Sequence, residues 1–182
     1  IQLLLEHGAD PNIQGGRFGT ALQAAAKRND IEVVQMLLER GADVNAQGGE
    51  NGNALQAAST GGRKELVQLL LNNGADVNAQ GGQYGNALQA AARWGDMEVV
   101  QLLVEHGAYV NAQGGEFCTA LQAACASDSG GQEIVHILLE KGADVNVHGG
   151  VYGNALHAAA NNGKMEVVKM LLERGADVDT PS

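Results

Sequence analysis

Apolar and polar positions along this chain fall into two kinds of short segment that take turns. One reads Glu32-Val33-Val34-Gln35-Met36-Leu37-Leu38 and its equivalents, with apolar residues at i, i+1, i+4 and i+5. That spacing predicts a helix with one buried stripe. The other is rich in alanine, as in Ala24-Ala25-Ala26 and Ala90-Ala91-Ala92, and predicts a helix that lets neighbouring units approach closely. It begins at Thr20, Asn53, Asn86, Thr119 or Asn154, all good N-caps, with Gln23, Gln56, Gln89 and Gln122 at capping-box spacing. Its expected ends lie near Asn29, Gly62, Gly95, Gly131 and Gly163, residue types that accept the left-handed conformation past a helix C-terminus. In the apolar-striped helix, Glu32, Glu65, Glu98, Glu133 and Glu166 fall in the first turn, and His7, Arg40, His106, Lys141 and Arg174 fall in the last. Both sets complement the helix dipole, Asn73 being the exception. A glycine then ends this helix in every copy.

The two helices belong to one repeating block. The Gly-Ala pairs at Gly8, Gly41, Gly74, Gly107, Gly142 and Gly175 stand 33, 33, 33, 35 and 33 residues apart. A fixed period of that size marks a stacked solenoid. The chain reads as one array: a partial copy at 1–7, full copies at 8–40, 41–73, 74–106, 107–141 and 142–174, and a partial copy at 175–182. It begins on Ile1, midway through a unit, and polar capping copies are not obvious at either end. Leu3, Leu4 and Leu5 are therefore expected to fray or to pair with another molecule.

The run Gly41 to Ala46, the short capped helix, and the second helix with its following glycine together resemble the ankyrin repeat family over essentially the full 182 residues. The resemblance implies an all-α solenoid of stacked helix-turn-helix units with glycine-rich hairpin loops. Where that family usually carries T-P-L-H, this chain has Thr20-Ala21-Leu22-Gln23, Asn53-Ala54-Leu55-Gln56, Asn86-Ala87-Leu88-Gln89, Thr119-Ala120-Leu121-Gln122 and Asn154-Ala155-Leu156-His157. Alanine for proline at the first helical position is a mild change. Glutamine must take over whatever inter-repeat hydrogen bonds histidine normally makes. The Q-G-G-x-Y-G-N-A-L-Q version is similar to arrays common in fungal proteins, often as C-terminal sensors of nucleotide-binding signalling ATPases. No G-x-x-x-x-G-K-[ST] phosphate loop is present in these residues.

Charge and composition narrow the function. The net charge of −10 argues against nucleic acid as the main ligand, since phosphate binding needs a basic surface. There is no run of 18 apolar residues, no charged-then-apolar signal segment and only two cysteines, so neither a membrane segment nor a disulfide framework is expected. Cys118 stands where other copies have Gly19, Gly52, Gly85 and Gly153, and Cys125 where they have alanine or serine. Both read as unpaired structural thiols, in keeping with an intracellular setting, cytoplasmic or nuclear. His7, His106, His136, His148 and His157 form no metal-ligand spacing with each other or with Cys or carboxylate clusters. An open solenoid groove also provides no cleft to raise a catalytic carboxyl pKa. No enzyme, metal or cofactor is expected.

Function is sought where the copies differ, because the shared residues already have structural jobs. At the loop tip one column runs Arg17, Glu50, Gln83, Glu116, Val151, and the next runs Phe18, Asn51, Tyr84, Phe117, Tyr152. At the end of the first helix the columns are Lys27, Thr60, Arg93, Ala126, Asn161 and Arg28, Gly61, Trp94, Ser127, Asn162. In ankyrin arrays loop tips and first helices line the concave, partner-gripping face. The resemblance thus nominates Arg17, Phe18, Lys27, Arg28, Glu50, Tyr84, Arg93, Trp94, Glu116, Phe117 and Tyr152 as partner-binding. For the aromatic column two readings stand: a ladder that contacts a partner, or rings that pack the loop onto the first helix. Trp94, the only tryptophan, stands beside Arg93, and the pair has residue types enriched at interface hot spots. Arg17, Lys27, Arg28 and Arg93 are expected to gather on the N-terminal half of the face and to favour an acidic and aromatic or apolar partner. The two-residue insertion within Ser127-Asp128-Ser129-Gly130-Gly131 reads as a tolerated length change away from the loop tips.

The leading functional reading is a non-catalytic scaffold that recognises a partner protein. Two others stand beside it: a structural array that self-associates weakly through uncapped ends, and a sensor segment of a larger signalling ATPase or effector.

Overall fold

A computed structural model describes residues 1–179. Among them are eleven helices: α1 (Gln2–Glu6), α2 (Ala21–Arg28), α3 (Ile31–Glu39), α4 (Ala54–Ser59), α5 (Lys64–Asn72), α6 (Ala87–Trp94), α7 (Met97–Glu105), α8 (Ala120–Cys125), α9 (Gly131–Glu140), α10 (Ala155–Asn161) and α11 (Met165–Glu173). The last three residues of the C-terminal partial copy lie outside the described residues. Each alanine-rich helix packs on its partner in the same repeat and on the alanine-rich helices before and after it, in the order α2, α4, α6, α8, α10. Ala57, Ala58, Ala90, Ala91, Ala92, Ala123 and Ala124 are fully buried at these contacts, because a methyl group is all the close helix approach leaves room for. The apolar stripes of the longer helices close the other side of the core through Val34, Leu37, Leu66, Leu70, Val99, Leu103, Ile134 and Leu138.

Three ladders set the stacking. In the first, the capping glutamines Gln23, Gln56 and Gln122 work in two directions, while Gln89 only donates, its Oε1 having no partner among the described residues. Gln56 Oε1 accepts its own cap's N–H from Asn53 at 2.9 Å, and Gln56 Nε2 donates to the Ala79 and Gly85 carbonyls of the next repeat at 3.1 and 3.0 Å. Gln23, Gln89 and Gln122 make the same inter-repeat bonds, as expected for residues standing in for histidine. The second ladder is built by asparagine: Asn45 donates to the Gly74 carbonyl at 3.0 Å and accepts the Asp76 N–H at 2.8 Å. Only a backbone N–H is needed from the aspartate position, so Tyr109 serves there too, donating to Asn78 at 2.8 Å. The third runs through the loop tips, where Glu50 N donates to Arg17 O, Gln83 N to Glu50 O, Glu116 N to Gln83 O and Val151 N to Glu116 O, at 2.9 to 3.1 Å.

The return loops come so close that side chains are excluded. A Cβ on Gly115, at φ +60°, would lie 2.2 Å from the Tyr84 carbonyl carbon. Cys118 breaks the glycine column with φ +66°, and its thiol turns toward the His148 carbonyl 3.6 Å away.

Two expectations are corrected. Gly131 does not end a first helix; it is the first residue of α9, and α8 already stops at Cys125. The insertion shifts the left-handed residue to Gly130, at φ +63°. The basic residues placed in the last turn of the second helix stand one step beyond it, as C-caps. Asn73 is no exception there: its amide donates to Leu69 O at 2.8 Å, and His106 Nδ1 meets Leu102 O at the same distance.

Candidate functional site

Loop tips and first-helix ends come together along one side of the array. At its N-terminal part, Arg17 Nε meets Glu50 Oε2 at 2.7 Å, and the Arg17 guanidinium lies 5.8 Å from the centroid of the Phe18 ring, which is exposed. Lys27 Nζ donates to Thr60 Oγ1 at 2.8 Å, linking α2 to the end of α4. Burial, then the fields of Arg63 and Arg17, hold the Lys27 ammonium below the ordinary lysine value, with Glu50 opposing them. Arg28 is exposed one residue on.

The central part is a stack. Tyr84 and Phe117 lie parallel within 4° with centroids 6.4 Å apart, and Phe117 and Tyr152 follow at 6.3 Å and 19°. Phe117 is buried inside this stack at 5% exposure, while Tyr84 and Tyr152 are half-buried. Of the two readings of the aromatic column, packing of the loops therefore describes Phe117, and Phe18 alone of the four is open to solvent. Arg93 stands over the Phe117 ring at 5.5 Å and meets Asp128 Oδ2 at 3.5 Å. Glu116, half-buried, accepts from Gln83 Nε2 at 2.7 Å.

Trp94 is the last residue of α6 and remains 51% exposed. Among the described residues it joins no ring stack. Its column elsewhere holds Arg28, Gly61, Ser127 and Asn162, so the repeat does not require an indole there.

The expected gathering of cations is corrected in two respects. Arg93 is separate from Arg17 and Lys27, engaged by Asp128 and Phe117. Its place in the N-terminal group is taken by Arg63, whose Nη1 donates to the Ala26 and Lys27 carbonyls at the end of α2. Arg63 was missed because it occupies the column where Asp30 and Asp96 act as N-caps. The break in that column was the available signal. The insertion meets the end of a first helix, because Asp128 belongs to it and reaches Arg93. Its backbone fits against Gly95, where a Cβ would fall 1.9 Å from the Ser129 carbonyl oxygen.

The family model for ankyrin repeats, described as three copies, matches residues 1–81, 55–149 and 118–182. The chain belongs to the ankyrin repeat family. No curated protein matches it. Ankyrin repeats are in general protein–protein interaction modules and typically non-catalytic. Within this ankyrin array, and among the described residues, no group of three His, Cys, Asp or Glu could hold a metal ion, and no helix is long and apolar enough to cross a membrane. Cys118 and Cys125 are free and buried, and burial pushes the Cys125 thiol up to about 12. Neither thiol has the lowered pKa of a nucleophile. The surface thus offers shape, one exposed indole and fixed charges.

Proposed function

We propose that this ankyrin array is a non-catalytic recognition scaffold that grips a partner protein along the side formed by loop tips and first-helix ends. The observation that carries this reading is Trp94: a large amphipathic side chain left half exposed, at a position where the repeat makes no structural demand for it. Tryptophan gives much contact area for little lost conformational freedom, which is why it is enriched at interface hot spots. Arg93, held by Asp128 and the Phe117 ring, stands beside it in a fixed pose. The two buried, unpaired thiols fit an intracellular setting.

A photo-cross-linking residue placed at position 94 tests this, with position 101 on the exposed side of α7 as the control. A partner cross-linked at 94 and not at 101 supports the reading; cross-links at 101 alone overturn it.

A further inference from the structure

The turns between paired helices use one device twice, in opposite surroundings. Arg63 Nη1 donates to the Ala26 and Lys27 carbonyls at the end of α2, and Lys164 Nζ donates to the Ala124 and Ser127 carbonyls at the end of α8. Each cation reaches back one repeat and satisfies carbonyls that a helix end leaves open. At α8 that single cation suffices: Ala126 and Ser127 occupy the places that Lys27 and Arg28 hold at α2, and the acid Asp128 lies in the field of Lys164. At α2 two further cations are added. Arg17 also acts on Lys27, and the acid that does so, Glu50, is engaged by Arg17 at 2.7 Å.

Among the described residues no carboxylate lies within ion-pair distance of Lys27, Arg28 or Arg63. Asp30 and Glu32 share a surface depression with Arg28, but the Asp30 carboxylate accepts the Val33 N–H at 3.1 Å. Lys27 and Arg63, close enough for one to act on the other, and Arg28 next along α2 all lack an ion-pair partner, which is unexpected in a chain carrying 21 acidic and 11 basic residues. They retain donors as well. An ammonium has three N–H groups and a guanidinium five, more than Thr60 and two carbonyls consume.

Resting on the reading that this side of the array receives a protein, we infer that Lys27, Arg28 and Arg63 bind a run of carboxylates: an Asp/Glu-rich segment of the partner laid across the end of α2 and the turn that follows α4. A short acidic segment meets mainly the local cations, since fields beyond about 10 Å are screened at ordinary salt. A long polyphosphate would extend onto the acidic remainder of the surface. Trp94 lies two repeats away in the same column as Arg28, so the acidic run and the indole contact would be separate parts of one bound partner.

The test is fluorescence anisotropy with a labelled oligoglutamate peptide at low salt, against the wild-type chain, a Lys27→Gln, Arg28→Gln double variant and the control Gln101→Ala. The expected result is wild-type binding that weakens as salt rises, roughly tenfold weaker binding by the double variant, and unchanged binding by Gln101→Ala. Amide shifts of Lys27, Arg28 and Arg63 in the peptide-bound wild type give a readout that survives any folding defect in the double variant. No wild-type binding, equal binding by the double variant, or tighter binding of a single-stranded oligonucleotide of matched charge would overturn the inference. Oligoglutamate binding together with a natural partner indifferent to Trp94→Ala supports it and sinks the indole reading instead.

Discussion

Gln56 and Gly85 are joined across a repeat boundary, with the Gln56 amide donating to the Gly85 carbonyl at 3.0 Å while its oxygen closes the capping box of its own helix. One buried side chain thus supplies both a helix cap and a bond to the next unit. Gln56→Ala removes these bonds and leaves buried carbonyls and a cap N–H unmet, so it should cost about 2–4 kcal/mol. His157→Ala, in the last helix pair described, should cost clearly less in the same chain. Urea unfolding of the two variants measures both.

Glycine positions should separate by what surrounds them rather than by φ. Gly107 at +86° and Gly115 at +60° share the left-handed region, yet a Cβ at Gly107 meets nothing within 4 Å, whereas at Gly115 it strikes the Tyr84 backbone. Both alanine variants bear backbone strain of about 1–2 kcal/mol. Gly115→Ala adds displacement of the loop ladder, so it should be more destabilising than Gly107→Ala by about 2 kcal/mol, readable as a difference in thermal midpoints.

Lys164 is a cross-repeat staple, and its hydrocarbon stem alone does not replace it. Lys164→Met keeps the stem and leaves the Ala124 and Ser127 carbonyls without their donor. The expected loss is about 1–2 kcal/mol in chemical denaturation, concentrated in the C-terminal repeats and visible there as faster amide exchange.

Cys125 sets an alkaline limit. Its thiol titrates near 9.0 when unfolded and at about 12 when folded, so the folded chain holds the proton more tightly. Its contribution is complete below about pH 9 and is lost as pH rises toward 12, at no more than about 1.4 kcal/mol per pH unit. Cys125→Ala, which installs the residue found at Ala26, Ala92 and Ala160, should remove that part of the pH dependence. Unfolding midpoints of both proteins between pH 8 and about 11 provide the check.

Much of the scaffold was legible because each repeat states its own caps, stripe and stop. Thr20, Asn53, Asn86, Thr119 and Asn154 all accept an N–H from the first turn as their spacing implied. The limits had physical causes. Gly131 was misplaced because an inserted loop can choose either of two adjacent glycines for the left-handed turn. Arg63 and Asp128 went unnoticed because their roles depend on reaching into a neighbouring repeat, which periodicity within one repeat does not encode. Phe117 and Phe18 share a column, yet Phe117 has a ring on both faces and Phe18 does not, so their exposure differs through position in the stack. Trp94 was legible as an oddity of its column, and its exposure follows from standing at the end of α6.

The most direct test of recognition through this surface is a titration calorimetry comparison with a captured partner, using wild type, Trp94→Ala and the control Gln101→Ala. Trp94→Ala should bind about 30-fold more weakly with an unchanged unfolding midpoint, and Gln101→Ala should match wild type. Equal affinity for wild type and Trp94→Ala, or an equal loss in Gln101→Ala, would contradict the account.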